Sequence, residues 1–232
     1  MAWLVALTPL GLASAQERPT PAVVEPIVAG PVAVEKMPLD VRDKVRSILE
    51  APTLVAKAPA ESFQAAPDVY QWLLANPIIA IKLWRLLGAK VSDISEVVPG
   101  KYVWRDGQGS EVFWHVVHHS EGVQVWFIEG KAKPAGFLVP AGFRALATLR
   151  YNVTPEGEGQ PSIRHQVQFH LRCDGKAVAL AAKLMGGSAP RLAEQYLTQL
   201  QVFHGGMAWY LCQDKERARR MLTKIGLIAP AE

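Results

Sequence analysis

Residues 163–173 read Ile163-Arg164-His165-Gln166-Val167-Gln168-Phe169-His170-Leu171-Arg172-Cys173, an unbroken alternation of apolar and polar side chains. Successive side chains of an extended strand point to opposite faces, so this period of two predicts a strand with one buried face. Ile163, His165, Val167, Phe169 and Leu171 form the inward face, and Arg164, Gln166, Gln168 and His170 the outward one. His165 is thereby placed among apolar neighbours, where a polar ring needs a partner from the protein or from a ligand. The preceding stretch, 143–153, repeats the period with Phe143, Ala145, Ala147, Leu149 and Tyr151 on the matching face. Two alanines at its centre leave room. That room takes a bulky helix residue, Tyr196 or Phe203, or else becomes a cavity.

Outward from this pair, short alternating segments separated by turn residues predict further strands over 91–98, 101–104, 111–119 and 123–131. Asp106-Gly107 predicts a type I′ hairpin turn, and Ser120-Glu121-Gly122 a second turn of two or three residues. A short strand is expected at 62–65. Pro67-Asp68 then opens a helix whose stripe is Val69, Trp72 and Leu73, interrupted at Asn76-Pro77. A second helix over 78–87 carries Ile81, Leu83, Trp84 and Leu87 and stops at Gly88. Beyond the last strand a short helix is expected at 176–184. Ser188-Ala189-Pro190 opens a long one over 191–212, with Leu192, Tyr196, Leu200, Phe203, Met207 and Tyr210 at helical spacing. Gly205-Gly206 inside it implies a kink or a close contact.

The 232-residue chain is 50% hydrophobic and 20% charged, which fits a globular protein with a sizeable core. Residues 1–15 form an uncharged apolar run ending in Ala13-Ser14-Ala15, a small-x-small pattern that predicts a cleaved signal peptide and an exported, periplasmic or secreted protein. The run is too short to span a bilayer, so no transmembrane segment is expected in the mature chain. Residues 16–58 read as a Pro- and Ala-rich arm with a short amphipathic helix at 40–50, N-capped by Asp40 and presenting Val41, Val45, Ile48 and Leu49. The folded domain is expected over 59–213 and a basic helical tail over 214–232. That tail holds Lys215, Arg217, Arg219, Arg220 and Lys224 without interleaved aromatics to stack bases, which argues against nucleic-acid binding. Cys173 and Cys212 make neither a disulfide framework nor a zinc site. They are expected at opposite ends of the packed unit.

A strand, two short helices, a run of antiparallel strands and a long C-terminal helix resemble, over about 61–212, the helix-grip superfamily. That superfamily includes START lipid-transfer domains, the plant pollen-allergen relatives and polyketide-cyclase-like proteins. Phe63-Gln64-Ala65-Ala66-Pro67-Asp68-Val69-Tyr70-Gln71-Trp72-Leu73-Leu74 is similar to the strand-to-helix entry common there. The resemblance implies an α+β fold: a curved antiparallel sheet of about six to seven strands on a long C-terminal helix, with an apolar cavity between them. Its members bind lipids, sterols or polyketide-like molecules, and a minority catalyse. No position matches a motif that carries over a catalytic residue.

His115, His118 and His119 crowd one strand, but alternation puts His115 and His119 on one face and His118 on the other, and companion ligands are missing, so no metal site is expected. Asp106-Gly107-Gln108-Gly109-Ser110 lacks the lysine and the strand-loop-helix context of a phosphate loop. No catalytic set and no cofactor motif is recognised. Trp104, Trp114 and Trp126 fall on consecutive strands, and aromatics on both faces of a hairpin imply that both are partly covered. The reading that results is a non-catalytic binding protein for a small apolar or amphipathic ligand, a lipid among the candidates. Its lining residues are His165, Ala145, Ala147, Leu149, Tyr151, Phe169, Tyr196, Phe203 and Met207. The alternatives are a solid-core module that docks a protein or the cell envelope and, ranking below it, an enzyme on the same scaffold.

Overall fold

The computed structural model describes residue 27 and residues 32–132, 141–157, 159–175 and 188–229. The leader at 1–15, most of the proline-rich arm and the helix expected at 176–184 lie outside the described residues. Among the described residues eight strands form one antiparallel sheet: β1 (Leu54–Lys57), β2 (Glu61–Gln64), β3 (Ile94–Val98), β4 (Lys101–Arg105), β5 (Glu111–Ser120), β6 (Val123–Ala132), β7 (Ala141–Thr154) and β8 (Ser162–Cys173). The order across the sheet is β1-β8-β7-β6-β5-β4-β3, with β2 also paired to β8 beyond the end of β1. Among the described residues five α-helices accompany it: α1 (Leu39–Glu50), α2 (Pro67–Ala75), α3 (Pro77–Leu86), α4 (Ser188–Gln213) and α5 (Lys215–Lys224).

The alternation in β7 and β8 is realised in full register, with Ala147 opposite Phe169 and Tyr151 opposite His165. One face of the sheet carries α2, α3 and α4, and the other carries α1. Val41, Val45 and Ile48 of α1 are buried against Val117, Val125, Phe127 and Leu146, as the helical spacing predicts. Lys44 adds an ion pair to Glu129 at 3.0 Å. The helix starts one residue earlier than expected, and Pro38, not Asp40, occupies the N-cap; Asp40 sits in the first turn, where its charge complements the helix dipole.

Four features depart from the expected pattern. β1 pairs with β8, so the boundary drawn at 58/59 separates two strands on one sheet edge, and α1 is likewise packed on the sheet rather than carried on a free arm. The 106–110 turn is not type I′: Gly107 and Gly109 alone adopt positive φ there, and the Asp106 carboxylate closes the loop by accepting from the Gln108 and Ser110 amides. A β-bulge inserts Val117 opposite β6, pairing Val116 with Trp126 and His118 with Val125. His115 and His118 therefore share the α1 side while His119 faces the other way, which corrects the alternation read from sequence. In α2 the buried residues are Tyr70, Leu73 and Leu74, with Val69 and Trp72 only partly covered, because Tyr70 turns inward to its partner His165.

The basic tail is part of the fold. Asp214 caps α5 by accepting from the Arg217 amide at 3.0 Å, and Met221 is buried in the same cluster as Leu83 and Trp84.

Candidate binding cavity

The long helix α4 crosses its sheet face at a distance set by a few contacts. Gly205 lets it touch β2, since a Cβ there would meet the Phe63 ring at 2.7 Å. The close contact implied by the glycine pair is thus realised. Gln201 fixes the next turn. It is only 2% exposed; its Oε1 accepts from the Val167 amide at 2.6 Å and its Nε2 donates to the Pro59 carbonyl at 2.8 Å. Between the end of β1 at Lys57 and the start of β2 at Glu61 the Ala58 amide donates to the Val167 carbonyl, and Gln201 takes the Val167 amide that the ladder leaves unpaired.

Toward the N-terminal half of α4, sheet and helices part around a cavity of about 430 Å³. Ala147, Leu149, Val167 and Phe169 of β7 and β8 form its floor. Trp104, Trp114 and Trp126 of β4, β5 and β6 form a wall, and Leu74, Ile81 and Trp84 of α2 and α3 close another side. Leu197, Leu200, Gln201 and His204 of α4 complete it. Among the described residues that line it, none is an acid, a lysine or an arginine. The three strand tryptophans share this face, and the other face carries Phe113, under Lys101 and Arg105, and Phe127, under α1.

His165, 1% exposed, sits at the inner end, with the Tyr70 hydroxyl 2.7 Å from its Nδ1 and the Phe63 ring edge-on at 5.0 Å. Burial, and secondarily the nearby His204, push its pKa down to about 3, so the ring is neutral. Burial raises the Tyr70 phenol well above its ordinary value, with Tyr151 adding to the effect. His204 is half-buried, edge-on to the Trp84 ring at 4.9 Å, with Nδ1 3.3 Å from the Leu200 carbonyl. Desolvation lowers its pKa as well, against the opposing effect of that backbone contact.

Of the residues expected to line a ligand site, His165, Ala147, Leu149 and Phe169 line this cavity. Ala145 is fully buried but outside the lining, Tyr151 packs behind Tyr70 at 5.4 Å, and Met207 belongs to the adjoining core. Tyr196 is 52% exposed, and Phe203 is 38% exposed with its ring against Trp84. These two are corrections, as is Leu192, which is also exposed; Leu200 is partly exposed as well but borders the cavity. The buried face of α4 runs Leu197, Gln201, Gly205, Met207, Ala208 and Leu211; it keeps Met207 of the expected stripe, while a glutamine with two backbone partners and a glycine with an aromatic neighbour displace the rest. Sequence reading missed Tyr70, Trp84, Gln201 and His204 as lining. The signal available was, for Tyr70, a large aromatic beside the apolar stripe of its helix and, for Trp84, a place within the stripe of the next.

No protein-family model matches the sequence, and no curated protein does. Solved structures do resemble it. A conserved protein from Geobacillus kaustophilus is 11% identical, with 67% of this chain and 95% of that one covered and a TM-score of 0.41. The di-domain ARO/CYC BexL from the BE-7585A biosynthetic pathway is 18% identical, covering 75% of this chain and 59% of that one, at 0.40. Norcoclaurine synthase from Thalictrum flavum is 14% identical, covering 64% and 86%, at 0.33. The architecture is helix-grip: an antiparallel sheet with a long C-terminal helix across one face, here with eight strands where six to seven were expected.

Among the described residues no group of three or more histidine, cysteine or acidic side chains converges to hold a metal, and no helix is long and apolar enough to cross a membrane. Cys212 Sγ accepts from the Ala66 amide at 3.3 Å, near the Ile163 end of β8. Cys173 closes the other end of that strand, opposite Phe143.

Proposed function

We propose that this protein binds a small, uncharged apolar or amphipathic molecule between its sheet and α4, without transforming it, outside the cytoplasm. The observation that carries the reading is the cavity itself. Its volume of about 430 Å³ falls in the range of small-molecule sites, and its wall is aromatic and free of charge. Burial of a flat apolar ligand against four indoles supplies affinity, while an ionised group inside would lose its hydration without a counter-charge. The neutral Tyr70–His165 pair gives orientation rather than acid–base work, since a ring held neutral down to about pH 3 is not poised to exchange protons near neutrality.

Ala147→Trp tests the site. An indole at that position fills the floor, and uptake of an apolar fluorescent probe by the parent protein should be lost in the variant while the fold is retained. A parent protein that takes up no probe rejects the reading. Export rests on the apolar leader and Ala13-Ser14-Ala15. N-terminal sequencing of protein from its native host should begin at or near Gln16; an intact Met1 on cytoplasmic protein removes the localisation.

A further inference from the structure

Two of the residues that line the cavity, His165 and Trp84, each hold a ring nitrogen, His165 Nε2 and Trp84 Nε1, that is buried without a hydrogen-bond partner. Both side chains are more than nine-tenths buried. A buried donor left unpaired costs about 1–3 kcal/mol, so each asks for an acceptor. The indole N–H is a donor only. For His165 the network decides. The described structure offers the Tyr70 hydroxyl one acceptor, Nδ1 of the neutral ring. If the phenol donates to Nδ1, the ring's single proton lies on Nε2 and one group is left unmet. If Nδ1 carries the proton instead, both the phenolic hydrogen and the Nε2 lone pair are left unmet. The first arrangement strands fewer groups, which makes Nε2–H a donor.

We infer that the cavity is a donor site for an uncharged acceptor oxygen: its ligand is a flat apolar molecule bearing a carbonyl-type oxygen that accepts from His165 Nε2–H, with Trp84 Nε1–H as a second donor. This rests on the cavity reading above and narrows it. Anionic ligands are disfavoured because no lysine or arginine among the described residues lines the space. Pure hydrocarbons fit its shape but leave both donors unmet. Tyr70 acts as a positioning residue, holding the imidazole proton on the nitrogen that faces away from it.

A matched pair of rigid probes tests the inference. Fluorenone and fluorene share a three-ring frame and differ by one carbonyl oxygen, and quenching of tryptophan fluorescence reports both. The wild-type protein should bind fluorenone about tenfold more tightly, the range of one to two buried hydrogen bonds. In His165→Phe and in Trp84→Phe that preference should fall. Equal binding of the two probes by the wild type overturns the donor assignment and leaves the cavity reading intact; binding of neither overturns both. An undiminished preference in His165→Phe also overturns it. Should that variant not fold, nitrogen NMR shifts of His165 in the wild type decide: the Nε2–H tautomer supports the inference, and the Nδ1–H tautomer overturns it.

Discussion

The two faces of the sheet are covered by helices in opposite ways. Against one face α1 lays Val41, Val45 and Ile48 onto Val117, Val125, Phe127 and Leu146, all essentially inaccessible. Against the other, α3 and α4 stand off on tryptophans and leave a space of about 430 Å³. Residue size accounts for the difference. β-branched and aliphatic side chains interdigitate to crystal-like density, whereas rigid indoles meeting from a wall and a helix cannot fill the volume between them, and Ala147 on the floor does not reach up to fill it. One face holds the molecule together; the other keeps room.

Phe127 and Ile128 put that contrast on adjacent residues, the first under α1 and the second on the cavity. Phe127→Ala should lower stability by about 3–5 kcal/mol, because it opens a hole in close-packed surroundings. Ile128→Ala should cost only about 1–2 kcal/mol, close to the transfer free energy of a half-buried side chain, since its neighbours on one side are already absent. Denaturant melts of both variants measure the difference. Equal losses would mean that the two faces are packed alike.

Ionisation separates the faces too. The α1 side keeps charged pairs at its rim, such as Lys44 with Glu129, while His165 is buried neutral beside Tyr70, Phe63 and His204, with no carboxylate among the described residues of the cavity lining. Its folded pKa of about 3 lies below the ordinary value of 6.5, so in this window the unfolded chain binds a proton that the folded one refuses. The stability associated with its neutral burial is complete above pH 6.5 and is lost as pH falls toward 3, by about 1.4 kcal/mol per pH unit. Unfolding free energies between pH 7 and pH 4 should therefore drop, and His165→Phe should flatten the slope by roughly that amount per unit. An unchanged slope in the variant would place the imidazole in contact with water.

Strict alternation made β7 and β8 readable, and their faces came out as the pattern demands, His165 included. What escaped has physical causes. β1 is four residues between Pro52 and Pro59, too short to show a period, and exists because it pairs with β8. The bulge at Val117 is hidden because the extra residue is itself a strand-former. The face of α4 is rotated from its apolar stripe by Gln201, whose two partners are backbone groups of distant segments that no local pattern reveals. The cavity follows from that rotation: Tyr196 and Phe203, which the apolar stripe turned inward, lie outside, and the space opens beneath Leu197, Gln201 and His204.

The same helix offers the finest test of the contrast, because its C-terminal half rests on solid core and its N-terminal half spans the open space. Gly205 and Gly206 are neighbours in sequence with opposite surroundings. A Cβ at Gly205 would meet the Phe63 ring at 2.7 Å, and one at Gly206 would meet nothing within 4 Å. Helix propensity alone favours alanine over glycine by about 1 kcal/mol at both positions. Gly206→Ala should realise that gain, up to about 1 kcal/mol. Gly205→Ala should reverse it to a net loss of about 1–3 kcal/mol, because Phe63 is held between Tyr70 and His165 at ring distances of 5.3 and 5.0 Å and has little room to yield. Thermal melts of the two single variants give the sign directly. If both stabilise, α4 is free to lift from β2, and the clamp that sets the cavity's height is looser than its contacts imply.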